Sequence, residues 1–197
     1  AGPAGSSCAI ALKQSGLKIG LVDHLVDGAL KVGESLPGAA IRLLNRLGIS
    51  GIEELLPEED YKSCVANVSS WGSEDWVYQD GMLNPEGGGW HLNRSNFDKA
   101  LRERALLLGV QYYHGKVAEL STVSTQGSGK MHSLKLSKLR DSSPKNLYAR
   151  WIVDATGRRS AISNKIRIRK TRFDHQMAAF CYLKANSNDQ DNTTRIK

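Results

Sequence analysis

The sequence opens with AGPAGSSCAIALKQSGLKIGLVD (residues 1–23), the segment from which the fold class can be inferred. Small residues come first, and apolar residues at helical spacing follow until Gly16, which predicts a turn that leads directly into a helix. Residues 17–23 are a short apolar run that ends in an acid, which predicts a buried strand. Turn, helix and strand are the later parts of a βαβ unit, so we expect an α/β fold with a parallel sheet.

The first strand of that unit does not precede the turn in these 197 residues. A parallel sheet built around it would lack a central member, so we expect the sequence to be a fragment or to be trimmed at its N-terminus. With one more glycine before Ala1, the start would read G-A-G-P-A-G, a dinucleotide-binding pattern. Such glycines let backbone N–H groups approach a pyrophosphate at the positive end of the helix.

Asp23 extends this pattern, because it lies 21 residues after Gly2. Dinucleotide-binding folds place an acid near this position, where it holds the ribose hydroxyls. A carboxylate suits a ribose without a 2′-phosphate, so the sequence favours FAD or NAD over NADP.

The composition is that of an ordinary folded domain. Hydrophobic residues make up 40% of the chain, and 27 Lys and Arg against 20 Asp and Glu give a net charge of +7. Disordered and collagen-like chains are excluded, no secretory signal is visible, and no apolar stretch reaches the ~18 residues of a membrane span. The three cysteines fit neither a disulfide framework nor a metal site and favour a reducing cytoplasm; they are Cys8, Cys64 and Cys181.

The positive charge is densest over residues 158–172, a concentration that would suit a phosphate-binding face. Residues 165–169 alternate basic and isoleucine side chains, however, which predicts a strand with one solvent-exposed side. No aromatic-rich RNA-binding signature or helix-turn-helix accompanies the charge, so we expect no nucleic-acid partner. A non-enzymatic basic binding module is kept as an alternative.

The rest of the chain alternates helical and strand-like patterns. Apolar spacing predicts a helix over residues 37–47 that closes at Gly48. A second helix is predicted over 93–108, with Ser95 as its N-cap and Gly109 as its stop. Strand-like pieces cover residues 61–92, 110–123, 131–139 and 147–154. Polar turns join the last three, which favours a β-meander.

Several motifs recur in one order along the chain: Gly2-Pro3-Ala4-Gly5, Asp23, Gly33-Glu34-Ser35-Leu36-Pro37, Arg94 with Phe97-Asp98, and Asp154-Ala155-Thr156-Gly157. With these motifs, the chain resembles the N-terminal half of an FAD-dependent monooxygenase of the flavin-dependent halogenase-like branch, over nearly everything from Ala1 to about Leu183. The resemblance implies a Rossmann-like FAD-binding fold of the glutathione-reductase type, with an interleaved β-rich substrate region and a β-meander.

The resemblance also divides the chain into four segments. They are an FAD-binding βαβ portion with a strap loop, a set of substrate-region strands, an FAD-binding helix with the meander and the D-A-T-G segment, and the start of a second substrate segment. Their expected bounds are residues 1–60, 61–92, 93–160 and 161–197.

The residues that the resemblance implies for FAD binding fall in several groups. Around the ADP half lie Gly2, Pro3, Ala4, Gly5 and Asp23, and in the strap across the flavin lie Gly33, Glu34, Ser35 and Pro37. Arg42 matches a flavin-phosphate arginine, Arg94 opens the helix beside the cofactor, and the backbone of Val117 meets the adenine. The D-A-T-G segment contributes Asp154, Ala155 and Gly157. Because an arginine fork can hold a phosphate bidentately, the chemistry supports both arginines.

In this family, reduced flavin and oxygen form a flavin hydroperoxide, which hydroxylases and halogenases use differently; the cofactor carries that chemistry. Halogenases also have a lysine between flavin and substrate, followed by an N-W pair. Lys62 precedes Trp71 at nearly that distance, although Ser70 stands in place of the Asn, and it is the candidate catalytic residue. The resemblance implies a small-molecule or protein-bound aromatic substrate and reduced flavin or NAD(P)H as electron source. An NAD- or FAD-dependent dehydrogenase or reductase that does not activate oxygen is the second enzyme class considered.

Overall fold

The computed structural model describes residues 1–24, 31–32, 34–70, 72–125, 129–137, 145–168 and 193–196, and the single positions 171, 173, 177, 179 and 181. Gly33, one of the expected strap residues, lies outside them, as does Trp71. The helices are α1 Pro3–Gln14, α2 Ala40–Arg46, α3 Arg94–Leu107 and α4 Ala161–Lys165. The strands are β1 Gly20–Asp23, β2 Ser35–Leu36, β3 Tyr61–Cys64, β4 Ala66–Ser69, β5 Val77–Asp80, β6 Gly89–Leu92, β7 Gln111–His114, β8 Lys116–Thr125, β9 Gly129–Ser137, β10 Lys145–Ala149 and β11 Thr193–Ile196.

The opening helix forms where the sequence predicts it. Pro3 occupies the first helical position, where its missing N–H costs nothing, and Gly16 follows the helix with a φ of +79°. Ile10 of α1 is fully buried in one apolar cluster with Leu101 and Ala105 of α3. This packing holds α1 against α3.

A parallel strand pair lies beside these two helices. Strand β1 pairs with β7, with Leu21 opposite Tyr112 and Asp23 opposite His114. The N–H of Gly115 then donates to the carbonyl of Asp23 at 2.8 Å, so that β7 ends level with Asp23. The carboxyl ends of both strands therefore meet at one edge, as in the predicted α/β arrangement.

The described residues form three further sheets, which are antiparallel or mixed. Strands β8, β9 and β10 form the predicted β-meander, in the order β10-β9-β8. The strap strand β2 and strand β3 flank β6 in a second sheet, and a third sheet has the order β11-β4-β5. Among the described residues, no helix combines the length and the apolar character needed to cross a membrane.

Several local expectations were wrong. In the predicted strand 165–169, Lys165 is instead the last residue of α4, and Ile166 and Arg167 follow as a turn in which Arg167 has a φ of +59°; Arg169 lies outside the described residues. A helix forms here because the first-turn N–H groups of Ile162 and Ser163 donate to the carboxylate of Asp154, and this carboxylate caps α4. Helix α3 is capped by the side chain of Asn93, which accepts from the N–H of Asn96 at 3.3 Å, and not by Ser95.

The strands on either side of the meander also differ from expectation. The predicted strand 110–123 is two strands in two sheets, because Gly115 separates β7 from β8. The segment 151–154 is not a buried strand: it has no strand partner among the described residues, and Trp151 and Val153 are 88% and 60% exposed. Apolar alternation alone does not create a strand where no neighbouring strand supplies the ladder.

Candidate cofactor and active site

The glycine turn, the acid at the end of β1 and the D-A-T-G segment converge, although they are far apart in sequence. Gly5 lies against Ala155 and Leu21: a Cβ added to Gly5 would be 3.5 Å from Ala155 Cβ and 3.7 Å from Leu21 Cδ1. The backbone nitrogen of Ala1 contacts a carboxylate oxygen of Asp23. The fold thus brings the start of α1 to the carboxyl end of β1, where an α/β sheet binds nucleotides.

Asp23 is 8% exposed, and the backbone nitrogens of Ala1 and His24 contact its carboxylate. Its Oδ1 accepts from the N–H of His24 at 2.7 Å, and the ring of His24 approaches Arg159, with 3.4 Å between Nε2 and Nη1. Burial, together with the charges of Lys116 and Arg159, lowers the pKa of His24, so its ring is neutral at physiological pH. A carboxylate held in this way is oriented by its surroundings.

The first turn of α1 has the composition of an anion site. Its N-cap is Gly2, which has no side chain to bond the free N–H groups, and no acidic residue occupies the first turn. Beside it lies the carboxylate of Asp98: a Cβ added to Gly2 would be 4.0 Å from Asp98 Oδ2. Arg94 donates to Asp98 Oδ1 through Nε at 3.3 Å and Nη2 at 3.2 Å, and Lys31 donates to Oδ2 at 2.8 Å. Two cations thus lie at the start of α1.

The strap residues form the edge of the second sheet. Ser35 and Leu36 are β2, and the carbonyl of Glu34 accepts from the N–H of Leu92 at 2.7 Å. The hydroxyl of Ser35 also lies 3.1 Å from that of Thr194. Pro37 is exposed at the end of the strand. The strap is therefore fixed by backbone pairing along one edge.

Lys62 lies in the same cross-strand row of side chains as Ser35 of the strap. In the register of the sheet, Ser35 is opposite His91, and His91 is opposite Lys62, so these three side chains lie on one face. The opposite face contributes Leu36, Tyr61, Trp90 and Leu92 to the apolar core. Lys62 is exposed, while Nε2 of His91 is buried and has no hydrogen-bond partner among the described residues. Lys62 is thus separated from Ser35 of the strap by a single strand, β6, on which His91 lies between them.

A cavity of about 510 Å³ opens next to this row. Ser35 and Cys64, which are on the same sheet face as Lys62, form part of its wall. Its other walls include Val65, Asn67 and Tyr78. Its wall therefore combines apolar, aromatic and amide groups, the kinds of group that line small-molecule sites.

The side chain of Asp154 is occupied within its own turn. Its Oδ1 accepts from the N–H and hydroxyl of Thr156, and its Oδ2 accepts from the N–H and hydroxyl of Ser163 and the N–H of Ile162. Partial burial raises the pKa of Asp154, but these hydrogen bonds outweigh burial and lower it to about 2. The carboxylate of Asp154 is therefore committed to this turn, and the part of the segment that lies beside Gly5 is the Cβ of Ala155. Gly157 begins the turn that follows, with a φ of +64°.

The structure does not bring two of the expected residues to this group. Arg42 is on the exposed side of α2, where its side chain is 72% exposed and forms an ion pair with Glu86. Val117 is half-buried on β8, opposite Leu136 and next to a β-bulge. Their roles toward FAD stay predictions.

Sequence reasoning missed four residues of the site. Lys31 precedes the G-E-S-L-P motif by two positions, a proximity that could have singled it out. Asp98 belongs to the motif that joins Arg94 with Phe97-Asp98, but the sequence gives it no role of its own, and His91 carries no local signal. Thr194 had no local signal, because it reaches Ser35 through a pairing of β11 with β4 across more than a hundred residues.

Comparison with known proteins identifies the family. The model of the tryptophan halogenase family matches residues 73–182, more than half of the chain. The chain belongs to the tryptophan halogenase family. This membership confirms the resemblance to the flavin-dependent halogenase branch that the motifs carried.

Relatives of this halogenase-family chain include a 1H-pyrrole-2-carbonyl-[peptidyl-carrier protein] brominase of Pseudoalteromonas luteoviolacea (strain 2ta16). The two are 27% identical over 195 residues, which cover 95% of this chain and 44% of the brominase. The chain thus spans less than half the length of the curated relatives it matches.

Two solved structures show the fold of this halogenase-family chain. A flavoprotein/dehydrogenase from Cytophaga hutchinsonii matches with a TM-score of 0.72 and 21% identity, over 88% of this chain and 42% of that one. The halogenase PltM, solved in complex with phloroglucinol and FAD, matches with a TM-score of 0.68 and 21% identity, over 87% of this chain and 36% of that one. The expected α/β architecture of the FAD-binding type is confirmed.

Proposed function

We propose that the full-length protein is an FAD-dependent, halogenase-like oxidoreductase. The observation that carries this proposal is the convergence of the turn over residues 1–5 with Asp23 and Ala155, through Ala1 and Gly5, in a chain of the tryptophan halogenase family. When bound, reduced FAD would pass electrons to molecular oxygen, which is the oxidant, so the cofactor would carry the redox chemistry.

The residues at the start of α1 fit the ADP half of FAD. The first turn contains no acidic residue, the neighbouring carboxylate of Asp98 is paired with Lys31 and Arg94, and the absence of a Cβ on Gly2 would let a diphosphate approach the backbone. Asp23 would accept hydrogen bonds from the ribose hydroxyls. Arg94 would add a charge-assisted bond to the cofactor, and the backbone at Ala155 would border it.

Lys62 is the residue we assign to the chemistry. It extends from the sheet that carries the strap and shares a face with the cavity residues Ser35 and Cys64. From there an ammonium group would donate a hydrogen bond to the oxidant and orient it toward a substrate in the cavity. The strap would separate flavin from substrate and exclude water from the path between them.

The substrate class we propose is an aromatic ring, either of a small molecule or attached to a carrier or other protein. The named relatives support both, since one acts on a pyrrole-carbonyl carrier protein and another was solved with phloroglucinol. Reduced flavin or NAD(P)H would be the electron source. The reducing cytoplasm is the compartment we propose, because Cys8, Cys64 and Cys181 are all free thiols.

Replacing Lys62 by alanine in the full-length protein should leave FAD binding and oxygen consumption unchanged but lower halogenated product by about 10²–10⁴-fold, the usual loss for a positioned proton donor. Product from pyrrole and phenol substrates with bromide is measured by mass spectrometry. Lys99→Ala is the matched control, because Lys99 is a half-exposed lysine on α3.

If Lys62→Ala and wild type form equal amounts of halogenated product, Lys62 has no role in the halogenation step. Substrate oxidation that needs neither oxygen nor halide would instead favour the dehydrogenase class. Tight nucleic-acid binding that weakens with salt, without bound flavin, would favour the basic binding module.

A further inference from the structure

Asp98 is a buried carboxylate that holds two cations from separate parts of the chain. It is 2% exposed on α3, yet it contacts Lys31, 67 residues away in sequence, and Arg94, one helical turn away. A carboxylate is expensive to bury without such partners. The contact therefore fixes the position of the Lys31 ammonium as well as that of Asp98.

This cluster lies at the start of α1. The distance of 4.0 Å between Asp98 Oδ2 and a Cβ added to Gly2 places the oxygen that holds Lys31 beside the N-cap of the helix. The helix has twelve residues, so its positive end is well developed. Arg94 also donates to the carbonyl of Val32 at 3.4 Å, which ties the segment after Lys31 to the same place.

We propose that Lys31 is a further ligand of the cofactor diphosphate, held at the N-terminus of α1 by Asp98. The inference rests on the proposed function and deepens it, because neither the motif pattern nor the family resemblance assigned this lysine.

The geometry of Lys31 suits this role. An ammonium group has three donors, and Asp98 Oδ2 takes one of them. The side chain is 23% exposed, so the group is anchored yet still open to a ligand that arrives from solvent. A diphosphate at the start of α1 would then receive backbone N–H donors from the helix and an ammonium donor from the strap side.

The test uses full-length protein freed of flavin and four forms of it: wild type, Lys31→Met, Lys31→Arg and the control Lys99→Met. ADP and adenosine are titrated by calorimetry, since they share the adenosine and differ in the diphosphate, and FAD is titrated by fluorescence. We expect Lys31→Met to weaken ADP and FAD binding about tenfold or more, the effect of losing one charge-assisted hydrogen bond. Adenosine binding should not change, and Lys31→Arg should recover most of the loss.

Two results would overturn the inference. The first is Lys31→Met binding ADP as tightly as Lys99→Met does. The second is an equal loss for ADP and adenosine, which would show a general loosening of the fold. If the wild-type protein binds neither FAD nor ADP, the proposed function itself is overturned. If wild type and Lys31→Met bind FAD and ADP with equal affinity, only the role of Lys31 is overturned.

Discussion

Gly5→Leu is expected to abolish FAD retention by the full-length protein, while Gly5→Ala retains it. A Cβ at Gly5 would be in ordinary van der Waals contact with Ala155 and Leu21, at 3.5 and 3.7 Å, so alanine fits. The further carbons of leucine have no room there and would push the start of α1 away from the edge where Asp23 lies. Overpacking of this kind costs about 1–3 kcal/mol, and it also displaces the N–H groups that the diphosphate needs.

The measurement is flavin absorbance per mole of purified protein, with affinities from FAD titration. A loss of affinity of more than about tenfold for Gly5→Leu, with Gly5→Ala near wild type, is the expected pattern. Because glycine within a helix is less favourable than alanine, Gly5→Ala should also unfold at an equal or higher temperature. Wild-type flavin occupancy in Gly5→Leu would contradict the assignment of this turn.

Gly38→Ala is expected to be strongly destabilising. A Cβ there would lie within 2.6 Å of the carbonyl oxygens of Glu86, Gly87 and Gly88, which are backbone atoms that cannot turn aside. We expect a loss of about 3 kcal/mol in the free energy of unfolding. For a chain of this size, that corresponds to roughly 6–12 °C in Tm.

Gly87→Ala is the control for this change, since a Cβ at Gly87 meets nothing within 4 Å and only its φ of +73° is unfavourable. It should cost about 1–2 kcal/mol. Thermal unfolding followed by circular dichroism checks both. A Tm for Gly38→Ala at or above that of Gly87→Ala would show that the turn over residues 84–89 does not pack on the strap as described.

The sequence predicted those parts of the molecule that local signals determine. Helix α1 and the glycines that follow α1, α2 and α3 were foreseeable, because Gly16, Gly48 and Gly109 all take a positive φ that other residues adopt at a cost. The meander was foreseeable from its polar turns. Residues 165–168 were not, since the helix that ends there depends on hydrogen bonds from Ile162 and Ser163 to the carboxylate of Asp154, eight and nine residues earlier, which an alternating pattern does not report.

The residues of the candidate site likewise fall into those that a local motif predicts and those that only the tertiary fold brings together. Gly2, Gly5 and Asp23 are in a motif whose spacing has a physical reason, so their proximity was predictable. The row of Ser35, His91 and Lys62 depends on a strand register that no local pattern reports. The contact of Lys31 with Asp98 depends on tertiary packing of two segments and could only be found in the structure.

The most direct test of the central claim is a crystal structure of the full-length protein with FAD bound. The account predicts diphosphate oxygens within hydrogen-bond distance of the backbone N–H groups at the start of α1, and a ribose hydroxyl on the carboxylate of Asp23. FAD bound elsewhere, with the space between Gly2 and Asp23 filled by side chains, would contradict it.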